Sequence, residues 1–252
     1  MVSVLTQLQY QILKRVARVN GSSGTTGEAY AGKNKLKILL GEQLLADLKG
    51  KVVVDFGCGE GAEAVELAKA GVSKVIGVDI RESALQRARQ GARDAGLAEQ
   101  CEFCQVPTEQ AHAIVSLDSF EHFEQPGHIL QIMFDLLTPG GFVVTSFGPT
   151  WYHPYGGHLF SVFPWAHLIF EEKALIQWRS EIRNDGATRF SEVEGGLNQM
   201  TIRRFEHLVQ ESPFHLERLE PVPIRKLSAV HNSLTREFTT AIVRAKLVKP
   251  LG

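Results

Sequence analysis

Cysteine is scarce in this sequence. Three thiols in 252 residues, Cys58, Cys101 and Cys104, are too few and odd in number for a disulfide framework. Long apolar runs are missing too. No stretch approaches the roughly 18 uninterrupted apolar residues of a membrane span, and the first residues lack the apolar centre of a secretory signal. Charge excess of either sign is also absent, with 27 Lys and Arg against 28 Asp and Glu. Gripping duplex nucleic acid through its phosphates normally takes a basic face, so no such partner is expected. No internal repeat is visible. These exclusions leave a soluble, cytoplasmic globular chain. At this length it can bury roughly 70–75% of its unfolded surface without metal or disulfide staples.

What is present alternates. Leu5, Leu8, Ile12, Val16 and Val19 recur at helical spacing and predict an amphipathic N-terminal helix. A Gly-, Ser- and Thr-rich stretch to about residue 35 reads as loop. A short helix over 42–48 leads into an apolar run at 51–55, typical of a buried parallel strand. Helices are then expected over 62–70, 82–95 and 126–137, with Pro126 in the first turn of the last. Strands are expected over 74–79, 101–106, 113–118 and 142–147. A helix opened by Thr201 and strands near 215–221 and 239–247 complete the pattern. Such alternation predicts an α/β fold: a doubly wound, mostly parallel seven-stranded sheet with helices on both faces. Residues 1–35 are expected to form a helix and flexible loop, a packing element and cover for the site, and residues 36–252 a single domain. Within it, residues 149–198 are an insertion after the fifth strand, where open α/β sheets place their binding crevice.

The strongest signal is Asp55-Phe56-Gly57-Cys58-Gly59-Glu60-Gly61 between a strand and a helix. Glycines let the backbone turn sharply and approach a ligand, and the next helix offers free N–H groups beside it. Asp79 closes the second strand, where a carboxylate can accept from both ribose hydroxyls. Gly57-x-Gly59-x-x-Ala62 also fits a relaxed dinucleotide fingerprint. Asp55, however, suits a cationic amino group better than a pyrophosphate. The sequence resembles the class I S-adenosylmethionine-dependent methyltransferases over about residues 36–148 and 199–247. Val78-Asp79-Ile80, Leu117-Asp118-Ser119-Phe120-Glu121-His122 and Leu137-Thr138-Pro139-Gly140-Gly141 share in the likeness. The resemblance implies S-adenosylmethionine as cofactor and S-adenosylhomocysteine as product. It implies that Asp55, Gly57, Cys58, Gly59 and Gly61 hold the methionine part and that Asp79, with Ile80, holds the ribose. Thr108, Leu117 and Asp118 would flank the adenine and amino group. The segment 105–112 departs from the family pattern, being short and lacking the common Asp after the third strand.

Residues 150–170 hold seven aromatics and three histidines in 21 positions, a composition suited to wall a pocket. Trp151, Tyr152 and Tyr155 are the substrate-binding candidates. Phe160, Phe163, Trp165 and Phe170 read as the core of the cap, and a lipophilic acceptor is compatible with such a lid. If the acceptor needs a base, the candidates in order are His158, His153, His122 and Glu121. No metal is expected, because the histidine spacing fits no zinc pattern. Cys101 and Cys104, on a strand, read as core. Tyr30 reads as a loop tyrosine. The function expected is methyl transfer to a small or medium-sized metabolite. The alternatives are a non-catalytic cofactor-binding module, an RNA or protein methyltransferase and, last, an NAD-dependent oxidoreductase.

Overall fold

The computed structural model describes residues 3–17, 35–193 and 195–251; Val19 and Tyr30 lie outside these. Seven strands form one sheet in the order β3-β2-β1-β4-β5-β7-β6. They are β1 (Val52–Phe56), β2 (Lys74–Val78), β3 (Cys101–Cys104), β4 (Ala111–Leu117), β5 (Leu137–Phe147), β6 (His215–Pro223) and β7 (Thr240–Val248). The first five pair in parallel, and β7 runs antiparallel between β5 and β6. The order reverses between β1 and β4, so a crevice opens at their carboxyl ends.

Side chains alternate across the sheet. Val53 and Val75 enter one core cluster with the helices α3 (Ala62–Lys69) and α4 (Glu82–Asp94). Val54 and Ile76 enter the other, with α5 (Pro126–Leu136) and a C-terminal helix over 202–211. Thr201 caps that later helix as expected, its Oγ1 accepting the Arg204 N–H at 3.0 Å.

Several boundaries differ from expectation. The helix expected over 42–48 is α2 (Lys35–Asp47), which starts seven residues earlier. Strand β5 begins at Leu137 rather than 142, because Leu137 already pairs with Ala111 before a register shift. Strand β3 stops at Cys104, two residues short of expectation.

The N-terminal helix α1 (Val4–Ala17) buries a different face from the one its periodicity suggests. Leu5, Leu8 and Ile12 are exposed, whereas Leu13 and Thr6 are buried. The cause is its docking partner. The insertion contains α6 (Ala166–Ile169) and α7 (Glu172–Arg179), and α1 lies along α7. There Thr6 Oγ1 donates to Glu171 at 2.7 Å, and Leu13 joins Phe160, Leu175, Trp178 and Phe190 in a third cluster. The last described helices are α8 (Ile202–Glu211) and α9 (Arg236–Thr239). Among the described residues, no helix is long and apolar enough to cross a membrane.

Candidate functional site

The loop between β1 and α3 carries three glycines with positive φ, at 84°, 53° and 80° for Gly57, Gly59 and Gly61. Their reasons differ. A Cβ on Gly57 would sit 2.6 Å from Ser119 Oγ, and one on Gly61 would meet Ala88 at 2.7 Å and Phe103 at 2.9 Å. Protein packing therefore demands both. At Gly59 the nearest atom would be Arg81 Nη2, 3.9 Å away, so this glycine faces open space that a ligand can enter. Cys58 is buried, and burial pushes its thiol pKa up, which leaves it packing without thiolate chemistry.

Asp55 is 3% exposed, and its Oδ2 has no hydrogen-bond partner among the described residues. Burial and then the neighbouring Glu63 carboxylate push its pKa up to about 8, partly offset by Lys35. Asp79 is the opposite case. Its Oδ2 accepts the Gly59 N–H at 3.0 Å and its Oδ1 the Arg81 N–H at 2.9 Å, with the Arg81 guanidinium beside it. Burial would raise its pKa, but these donors outweigh it and hold the carboxyl below its ordinary value. Asp79 thus clamps the glycine loop to the end of β2, and the Arg81 side chain over it is largely exposed. Ile80 beside it is 87% exposed, an apolar side chain with little protein cover.

At the end of β4, Leu117 belongs to the core. Asp118 adopts φ 50° and pairs with Lys35 at 2.9 Å. Thr108 is exposed beyond β3 and makes no side-chain hydrogen bond among the described residues. Glu121 is 2% exposed; its Oε1 accepts the Gly148 N–H at 3.1 Å and its Oε2 has no partner among the described residues. Burial, then Asp118, pushes its pKa up to about 8, so at neutral pH it is a protonated acid rather than a base.

The structure brings His122 and His158 together, with ring centroids 5.4 Å apart. His122 Nδ1 lies 2.8 Å from the Gly196 carbonyl oxygen. A carbonyl only accepts, so in the neutral ring Nδ1 carries the hydrogen and Nε2 keeps its lone pair. His158 adopts φ 51°, and its Nε2 is buried without a partner among the described residues. Burial and the neighbouring imidazoles push its pKa down to about 4. His153 is pushed to about 4 in the same way, and its Nδ1 accepts the Tyr155 N–H at 3.0 Å. A cavity of about 270 Å³ opens beside His122, lined also by Glu124, Glu172, Arg189, Phe190 and Asn198.

The aromatic candidates spread out. Trp151 packs in the cap core, 4.7 Å from the His167 ring and 5.5 Å from Phe190. Tyr152 meets Phe238 at 5.1 Å, and Tyr155 is half-exposed. Phe160 is buried, as expected for cap core. Two features had no signal in the sequence. His167, 4% exposed, accepts from Ser161 Oγ at Nδ1 and donates from Nε2 to the Trp151 carbonyl, which ties the cap together. Lys35 and Glu63 reach Asp118 and Asp55 from separate elements, a contact that no local spacing announces.

A family model described as a methyltransferase domain matches residues 47–182. Over 70 residues the chain is 44% identical to ribosomal protein L11 methyltransferase of Vibrio campbellii, a match taking in 28% of this chain and 23% of that protein. The chain thus spans about a quarter of the length of the curated relatives it matches. A solved S-adenosylmethionine-dependent methyltransferase from Mesorhizobium loti superposes with a TM-score of 0.55 at 18% identity, covering 82% of this chain and 96% of that one. Magnesium protoporphyrin IX methyltransferase from Synechocystis, with bound S-adenosylhomocysteine, gives 0.53 at 18% identity over 94% and 86%. At such identities the structures show a shared fold.

Proposed function

The chain belongs to the class I S-adenosylmethionine-dependent methyltransferases, and we propose that it transfers a methyl group to a small or medium-sized metabolite. The glycine loop fits the cofactor: Gly59 leaves open space, and the unpartnered Oδ2 of Asp55 suits the cofactor's ammonium. In this reading Asp55, Gly59 and Asp118 hold the methionine part, Asp79 the ribose, and Ile80 lies against the base. When bound, S-adenosylmethionine supplies an electrophilic methyl carbon on its sulfonium. The chain's own task is to align an acceptor with that carbon and to take up the acceptor's proton.

The observation that carries the acceptor assignment is the cavity beside His122. Its volume of about 270 Å³ is at the scale of a small-molecule site and favours a metabolite over a folded protein such as the one named for the curated relatives. We place His122 ahead of His158 as the base. The lone pair at His122 Nε2 is left by the bond at Nδ1, whereas an imidazole pushed down to about 4 is a weak base at neutral pH. The decisive experiment is incubation with methyl-labelled S-adenosylmethionine and a metabolite extract, followed by mass identification of labelled product. A labelled small molecule is the expected result. Label in protein or RNA alone would overturn the acceptor class, and absence of turnover with intact cofactor binding would make the chain a binding module.

A further inference from the structure

In the reading proposed above, the methionine end of the cofactor lies by Asp55 on β1, the start of α3 and the end of β4, yet one side chain there comes from outside all three. Lys35, the first residue of α2, places Nζ 2.9 Å from Asp118 Oδ2 and 3.0 Å from Glu63 Oε1. Asp55, buried with an unpartnered Oδ2, feels the same ammonium. Burial alone would lower the pKa of Lys35, but Asp118 and then Glu63 reverse that and keep it charged. Two carboxylates from separate segments thus hold one cation, and the Asp55 carboxyl lies within its field.

We propose that Lys35 is a cofactor-binding residue that recognises the carboxylate of the methionine moiety, with the same ammonium that Asp118 and Glu63 now hold. This rests on the methyltransferase reading. The argument is one of charge. The cofactor's amino-acid end brings an ammonium and a carboxylate together. The ammonium suits Asp55 and Asp118, but the carboxylate enters beside Asp118 and Glu63, groups of its own sign, joined by Asp55 once the ammonium ionises it. Like charges this close repel strongly where water is thin. Retaining Lys35 gives the carboxylate a partner, whereas expelling it would add one more unbalanced anion. Lys35 therefore stays and shares its donors, since an ammonium carries three. Because α2 delivers Lys35, cofactor binding is coupled to the docking of that helix.

Calorimetry with two ligands tests this on the full chain. S-adenosylhomocysteine carries the amino-acid end, whereas 5′-methylthioadenosine has the same nucleoside and thioether sulfur without it. Lys35→Met should weaken S-adenosylhomocysteine about 10- to 100-fold, the range for a lost charged hydrogen bond, and leave 5′-methylthioadenosine unchanged. That second affinity also reports that the variant's site is folded. Lys35→Arg, which keeps the charge, should retain most of the S-adenosylhomocysteine affinity. Equal weakening of both ligands would make Lys35 purely structural, and unchanged or tighter S-adenosylhomocysteine binding would make it a bystander or a competitor. Each of these overturns the proposal alone. A wild-type chain that binds neither ligand would overturn the methyltransferase reading itself.

Discussion

Glutamine at position 122 can still donate to the Gly196 carbonyl, which His122 Nδ1 holds at 2.8 Å, but it has no basic nitrogen to offer an acceptor. Once an acceptor is known, His122→Gln should lower turnover by about 10²–10⁴-fold, the usual contribution of a positioned base, with S-adenosylhomocysteine affinity unchanged by calorimetry. His158→Ala should have the smaller effect, and the reverse order would return the role to His158. Asp55 makes a pH prediction. Its folded pKa of about 8 lies above the unfolded value of about 4, so its contribution to stability is full below pH 4 and is lost as pH rises to 8. Pairing with the cofactor's ammonium requires the ionised form. Binding of S-adenosylhomocysteine at pH 7 should therefore release close to one proton, read as a buffer-dependent enthalpy. The release should vanish near pH 9 and in Asp55→Asn. The glycines separate fold from ligand. Gly61→Ala meets Ala88 and Phe103 and should cost about 2–4 kcal/mol in denaturant unfolding, from overpacking plus backbone strain. Gly59→Ala should cost about 1 kcal/mol and mainly weaken S-adenosylhomocysteine. The strained turns of the glycine loop and the acid that closes β2 were legible because they are local, set by neighbours in sequence. Lys35 was not, since its partners reach it only through the packing of α2 on α3 and β4.

Helix α1 shows how far an element depends on its dock. Leu13→Ala opens a cavity in the cap core and should destabilise by about 2–5 kcal/mol, whereas Leu8→Gln, on the exposed face, should stay within about 0.5 kcal/mol. Chemical denaturation of both variants checks the pair, and equal effects would mean that the docked face is misassigned. Periodicity revealed that α1 is a helix but could not choose its face. Leu5, Leu8 and Ile12 form a cleaner stripe than the residues α7 accepts. Within the cap, short helices and turns alternate with no sustained period, which is why composition pointed to it and pattern did not resolve it. The early start of β5 has a similar cause: Leu137 is drafted by Ala111 across a register shift, a pairing that exists only once β4 is beside it.

For the whole molecule, ligand binding and stability are one equilibrium. S-adenosylhomocysteine at a hundred times its Kd should add about 2.7 kcal/mol of stability. In a chain of this size that is about 5–10 °C in Tm, measurable by thermal shift, and no shift at saturating ligand would contradict the cofactor site. The parallel part of the sheet followed from alternating strands and helices, but the antiparallel placing of β7 between β5 and β6 depends on pairing across the sheet. The cap's cluster shares no buried residue with the two sheet clusters, yet it takes Leu13 from α1. The interior of the cap is therefore assembled from two separate stretches, residues 3–17 and 149–198. A substitution that reshapes this cluster at Phe160 or Leu175 has its compensating partner in α1, at Leu13, far away along the chain.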